Sequence, residues 1–145
     1  MTEVELLYTD LSARSLSGLI CNVYKVDDEG VDWRQLILTG TYKADDNDWY
    51  ECYFNGGDCA EIHNIKPYLR KIDSLTKNEI AELKQLTSLT FDGSRFYTDI
   101  TETFSAYEMG IIIDWFNKHH IDYRGLIPRN IALEAPKDMY NTKNK

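Results

Sequence analysis

SAYEMGIIIDWFNKHHIDYRGLIPRNIALEA, residues 105 to 135, holds a helix start, an apolar helix and a basic helix end in one run. Ser105 stands three residues before Glu108, the spacing at which each side chain can bond the other's free backbone N–H at a helix N-terminus. Phe104 and Met109 flank that box as a hydrophobic staple. Met109, Ile112, Ile113 and Phe116 then recur at helical spacing, and Ile111 and Trp115 widen the stripe until little of the helix is left for water. The run therefore predicts a core helix. Lys118, His119 and His120 sit on its last turn, where positive charge meets the negative end of the helix dipole, and Gly125 supplies a permissive backbone position soon after.

Working outward, the segments that cover this helix come from both sides. Val4 to Tyr8 suits either a strand or a first helical turn. DLSARSLSGLICNVYKV passes through small and polar residues to Gly18, then runs through Leu19, Cys21, Val23 and Val26 in a mostly alternating pattern, as a strand. Asp27 to Gly30 reads as a turn, RQLILTGTYKA as an antiparallel return strand, Asp45 to Asp48 as the next turn, and WYECYF as a third strand. Asn55-Gly56-Gly57-Asp58 is a strong hairpin signal before CAEIHNI. Pro67, lacking an N–H, is expected to end the strands. Thr76 and Glu79 form a second capping box with Leu75 and Ile80 as its staple, opening an amphipathic helix through Leu83 and Leu86. Residues 90 to 103 suit a short extended piece, and Ile131-Ala132-Leu133 a last short strand.

The expected fold is α+β in one domain: a small antiparallel sheet of about four strands, meander or barrel-like, then two helices and a short C-terminal strand. Residues 1–66 are expected to be mainly β, 67–136 mainly α, and 137–145 a polar tail that frays. The expected core is Val23, Leu36, Ile37, Tyr53, Leu83, Leu86, Met109, Ile112, Ile113 and Phe116.

The chain of 145 residues is 43% hydrophobic and carries a formal net charge of −8. Acid concentrates in the first half, with 13 Asp and Glu against 6 Lys and Arg up to Arg70. That balance opposes duplex nucleic acid, whose affinity comes from neutralised phosphates. Leu19 to Cys21 is too short an apolar run for a signal or a membrane span, and acidic Glu3 and Glu5 stand where a secretory signal carries positive charge. A cytoplasmic protein with no membrane partner is expected, and three cysteines, an odd number, fit a reducing compartment.

IKPYLRKIDSLTKNE at Ile65 to Glu79, WFNKHHIDYRGLI at Trp115 to Ile127, ALEAP at Ala132 to Pro136 and DLSARSLSGLIC at Asp10 to Cys21 resemble a family of short proteins encoded by phages and prophages of Bacteroides-like bacteria. The resemblance spans most of the chain. It implies a setting, an accessory protein working in a bacterial host cytoplasm, and carries over no catalytic residue.

The motifs themselves point away from catalysis. Adjacent His119 and His120 project about 100° apart on a helix and cannot share a metal as an i, i+4 pair would; capping and packing account for them. Cys52, Cys59 and His63 have neither a zinc-site spacing nor a fourth ligand, and Cys21 sits in a strand with no local base, as a buried structural thiol does. No phosphate loop, nucleophile elbow or dinucleotide fingerprint is present. No cofactor and no metal is expected. The residues best suited to bind something are Tyr123, Arg124 and Arg129, with Lys66, Arg70 and Lys71 converging on them: planar donors for phosphate or carboxylate beside a stacking face. The competing account is that Arg124 pairs with Asp122 or Asp114 and holds the turn. The expected function is a non-catalytic protein that binds a host partner or sequesters a small anionic, nucleotide-like ligand. The alternative is a structural or assembly protein forming a homo-oligomer, anchored by Trp33, Trp49 and Tyr50 if they are exposed. An enzyme of unrecognised type comes third.

Overall fold

Thr2 and Glu5 begin the chain's first helix. Thr2 Oγ1 accepts from the Glu5 N–H at 3.1 Å and Glu5 Oε2 from the Thr2 N–H at 2.8 Å, a complete capping box. The helix they open, α1 (Glu3–Ala13), buries Leu7 and Leu11 and replaces the small-residue approach expected before the first strand. The computed structural model describes residues 1–27, 30–45, 49–87, 90–91, 96–97 and 105–140. Phe104, most of both acidic turns and residues 141–145 lie outside the described residues.

After α1 the chain runs β1 (Ile20–Asp27), β2 (Gly30–Lys43), β3 (Tyr50–Phe54), β4 (Cys59–Glu61) and β5 (Ile65–Leu69). Then follow α2 (Lys77–Leu86), the short strands β6 (Thr90–Phe91) and β7 (Phe96–Tyr97), α3 (Ala106–Lys118) and β8 (Leu133–Glu134). β6 and β7 pair with each other, in the region expected to be extended. The other six form one sheet in the order β4-β3-β2-β1-β5-β8, antiparallel except for the parallel pair β5 and β8. The α+β class and the N-terminal meander hold, but the sheet is mixed and takes its last strand from the C-terminal segment. Gly56 and Gly57 both take φ of 82°, a left-handed value that a side chain resists, and so close the β3–β4 turn. No helix among the described residues is long and apolar enough to cross a membrane.

Pro67 does not end the strands; it is buried inside β5, opposite Cys21. The carbonyl of Tyr68 and both backbone groups of Arg70 face the β1 side, so by alternation Pro67 turns its nitrogen toward β8. β8 reaches only Tyr68 and Leu69, so no rung of the ladder is lost to the missing N–H.

One face of the sheet is covered. Cys21, Val23, Leu38, Cys52, Phe54, Ile65 and Leu69 pack with Leu7 and Leu11 of α1 and with Leu126 and Ala132. A second cluster joins Leu75, Leu83, Ile112, Trp115, Phe116 and Ile121 between α2 and α3. Both expected staple residues of α2 lie in it, Leu75 buried and Ile80 packed alongside. Trp115 Nε1 donates to Glu82 Oε1 at 3.2 Å across the two helices.

Four expected core residues are instead exposed. Ile37 (40%) and Tyr53 (41%) have the wrong parity, because Leu36 and Leu38, and Cys52 and Phe54, point inward and their neighbours therefore point out. Leu86 ends α2 and Met109 lies in the first turn of α3, where less is packed against them. α3 is accordingly amphipathic, with Tyr107, Met109, Asp114 and Lys118 exposed, rather than covered all round.

The C-terminal turn is not a frayed tail as far as Tyr140. Its hydroxyl accepts from Ile20 N–H at 2.8 Å and sits 2.8 Å from the Tyr68 carbonyl, filling the rung where β1 and β5 part. Its ring stacks on His120 at 3.8 Å. Tyr140→Phe keeps the ring and removes the rung, and should cost about 1–3 kcal/mol, seen as a lower urea midpoint at unchanged slope. An unchanged midpoint would show that the hydroxyl carries no structural weight.

Candidate ligand cavity

β5 and β8 run parallel, so their carboxyl ends open on the same side of the sheet. Thr76 caps α2 beside them, with Thr76 Oγ1 accepting from Glu79 N–H at 3.2 Å and Glu79 Oε1 from Thr76 N–H at 3.0 Å. The C-terminal turn closes the third side. Together they enclose a cavity of about 350 Å³ lined by Arg70, Lys71, Glu79, Glu134, Lys137 and Asp138, with Ser74, Thr76 and Tyr140.

Its walls alternate in charge. Arg70 grips Glu79 through both terminal nitrogens, at 2.8 and 2.7 Å, and spends its remaining donors on Ser74 and the His119 carbonyl. Burial alone would raise the Glu79 carboxyl, but the Arg70 fork and the Thr76 N–H outweigh it and hold Glu79 below its ordinary value. Lys71 lies 3.4 Å from Glu134, with both side chains about half exposed, and Lys137 is exposed on the rim. A loose, exposed pair of this kind is worth little and yields readily to an incoming anion.

The expected binding cluster is divided. Arg70 lines this cavity, whereas Lys66 lines a smaller depression of about 160 Å³ with His63 and residues of α1, and Arg129 is exposed in a turn. Tyr123 and Arg124 belong to a buried knot. Arg14, fully buried, forks onto Asp10 at 2.9 and 3.1 Å and donates to the Ile121 carbonyl at 2.7 Å. Arg124 Nε lies 3.2 Å from the same Asp10, so its partner comes from α1 rather than from Asp122 or Asp114. Both guanidinium carbons lie near the Tyr123 ring, at 5.1 and 5.0 Å, and the Tyr123 hydroxyl bonds Asn117 at 2.8 Å. Asp122 instead accepts from the Leu126 and Ile127 N–H groups, both at 2.9 Å. The i, i+4 spacing of Asp10 and Arg14 carries no meaning in the sequence until the segment is known to be helical; the signal for that helix is Thr2 followed three residues later by Glu5.

The histidines and cysteines have structural surroundings. The His119 ring stacks on Trp115 at 3.9 Å, and His120 takes a left-handed φ of 62° that stops α3. Cys52 points into the core and Cys59 is exposed, so the hairpin puts the two thiols on opposite faces. Burial pushes the Cys52 thiol up to about 12 and Cys21 well above its ordinary value, away from reactive thiolate chemistry. Among the described residues no three His, Cys, Asp or Glu side chains converge on a metal-sized space. No family model, curated protein or solved structure matches this chain.

Glu79 holds its proton less tightly folded than unfolded, so its contribution is present above the ordinary value of 4.5 and is lost as pH falls through the lower folded value. Glu79→Gln should therefore destabilise by roughly 1–3 kcal/mol near neutral pH, with the gap to the parent closing in acid; a pH-independent gap would contradict the ion pair. Arg14→Met, which leaves the buried Asp10 carboxylate with Arg124 as its remaining partner, should cost roughly 3 kcal/mol by denaturant titration.

Proposed function

We propose that the chain is a non-catalytic binding protein that holds a small anionic, nucleotide-like ligand in the cavity at the carboxyl ends of β5 and β8. The carrying observation is the place of that cavity. Ligands of α/β sheets collect outside the carboxyl ends of parallel strands, and about 350 Å³ falls within the usual size of a small-molecule site. Lys71 and Lys137 supply cations for a phosphate, and Glu134 and Asp138 supply acceptors for sugar hydroxyls. The mixed lining suits a ligand with both kinds of group better than it suits a bare anion. Tyr123 and Arg124 then serve as scaffold: the Tyr123 hydroxyl is bonded to Asn117, and Arg124 pairs with Asp10 and donates to the Tyr123 hydroxyl. The resemblance to phage-encoded proteins supplies the setting, an accessory protein in a bacterial host that withdraws a small signal from use.

A second reading, assembly as a homo-oligomer, is favoured by a different observation. Trp33 and Trp49 are about half exposed, at 50% and 45%, although Tyr50, the third expected anchor, is buried.

The ligand reading is tested by thermal shift against mononucleotides, cyclic dinucleotides and ADP-ribose derivatives, with the parent and with Lys71→Ala/Lys137→Ala. A ligand at a hundred times its Kd adds about 2.7 kcal/mol, a rise of roughly 6–10 °C at this chain length, and the double variant should lose most of it. No shift with any compound would remove the reading. A shift kept by the double variant and lost with Arg124→Ala would return the site to the Tyr123 and Arg124 cluster.

A further inference from the structure

We propose that the chain pairs with a second copy of itself, strand to strand, along the open edge of β2 and about a two-fold axis at Trp33. The inference rests on the assembly reading and is independent of the ligand cavity.

β2 is 14 residues long, but β3 joins it only from Leu38 onward. Over residues 30–36 the second edge of β2 has no partner strand among the described residues. Leu38 N–H turns to β1, donating to the Leu19 carbonyl at 2.9 Å, and Ile37 N–H turns away, donating to Asn55 Oδ1 at 2.9 Å. Alternation then directs the N–H and C=O groups of Val31, Trp33 and Gln35 outward. Residues 31–35 are all exposed, and the apolar ones carry large exposure, 58% for Val31 and 50% for Trp33. Folded proteins blunt such edges with Pro, Lys, a bulge or extreme shortness. β4 and β8, at the two ends of the sheet, are three and two residues long. Residues 31–35 hold no Pro, Lys or bulge, the one bulge of β2 lying between Leu38 and Gly40; their two charges, Asp32 and Arg34, blunt the edge against other strands but are of opposite sign and complement each other in a second copy.

The residue order identifies the occupant. Asp32 and Arg34 flank Trp33 symmetrically. In an antiparallel pair centred on Trp33, the two Trp33 residues face each other as a hydrogen-bonded pair and Val31 faces Gln35 of the second copy, making about six backbone hydrogen bonds. Asp32 then faces Arg34 of the second copy, and Arg34 faces Asp32, in the non-hydrogen-bonded positions where side chains come closest. Each Arg34 exchanges its exposed in-chain contact with Asp32, now 3.4 Å, for one across the interface. Moving the axis by one residue, to Asp32 or to Arg34, sets like charges opposite each other. Moving it by two, to Val31 or Gln35, leaves no charge pair. One register is favoured, and it is self-complementary as a two-fold interface requires. Tyr24, whose ring lies 4.8 Å from Trp33, backs the stripe on the same face of the sheet.

The test is sedimentation velocity on the full chain without ligand, from about 5 to 500 μM, the range expected of a small interface. The parent should pass from monomer to dimer. Asp32→Arg and Arg34→Asp, each alone, should raise the dimer Kd by at least about tenfold by setting two like-charge pairs face to face. The double variant Asp32→Arg/Arg34→Asp restores complementarity in the same register and should recover the parent's Kd, which a merely damaged fold would not do. A monomer at every concentration would overturn both this inference and the assembly reading. A dimer indifferent to all three variants would overturn the β2 register alone and leave assembly standing.

Discussion

A guanidinium withdrawn from water holds the two ends of this chain together. Arg14 can be buried only because α1 presents Asp10 one turn earlier and the chain after α3 presents the Ile121 carbonyl. A buried charge is tolerated when it is paired and most of its donors are met: Nε and Nη2 of Arg14 are bonded, Nη1 has no hydrogen-bond partner among the described residues, the Tyr123 ring lies 5.1 Å from the guanidinium carbon, and Arg124 shares the same carboxylate. Arg70 then accepts this segment as a neighbour, donating its N–H to the His120 carbonyl at 2.7 Å and receiving Asp122 N–H at 2.8 Å. The first helix, the middle strand and the C-terminal segment are thus specified by one polar contact set rather than by apolar burial alone.

That arrangement explains why a strong donor in the sequence need not be free to bind a ligand. Arginine is favoured in buried ion pairs for the same planar fork that suits it to phosphate, so donor chemistry alone does not separate the two uses. Arg14, Arg70 and Arg124 each pair with a carboxylate of the fold. Lys71 and Lys137 stand on the rim of the cavity at the parallel strand pair, and Lys66 beside the smaller depression.

The sheet is asymmetric in the same sense. One face meets α1 and the C-terminal segment, while Val31, Trp33, Ile37, Tyr42 and Tyr53 are exposed. Among the described residues no helix covers that second face, and the two aromatics that pair across it, Tyr24 and Trp33, are in contact with each other.

Local signals were legible in the sequence wherever a few adjacent residues decide the outcome. The Thr76 and Glu79 box, the Ser105 cap, the double-glycine hairpin and the alternating strands all appear where their residues predict them, because turn and cap chemistry is settled within about four residues. The Thr2 and Glu5 box carries the same kind of signal for α1, where Val4 to Tyr8 by itself suits either a strand or a helical turn. What only the tertiary structure decided depends on groups far apart in the chain. Pro67 lies inside a strand because β8, contributed more than sixty residues later, stops short of its nitrogen. Arg124 is scaffold because α1 delivers Asp10 to it, and Tyr140 is ordered because two diverging strands leave a rung that its hydroxyl fills. A side chain's chemistry is written in the sequence, but whether a donor is spent or free depends on which distant acceptor the fold brings within three ångströms.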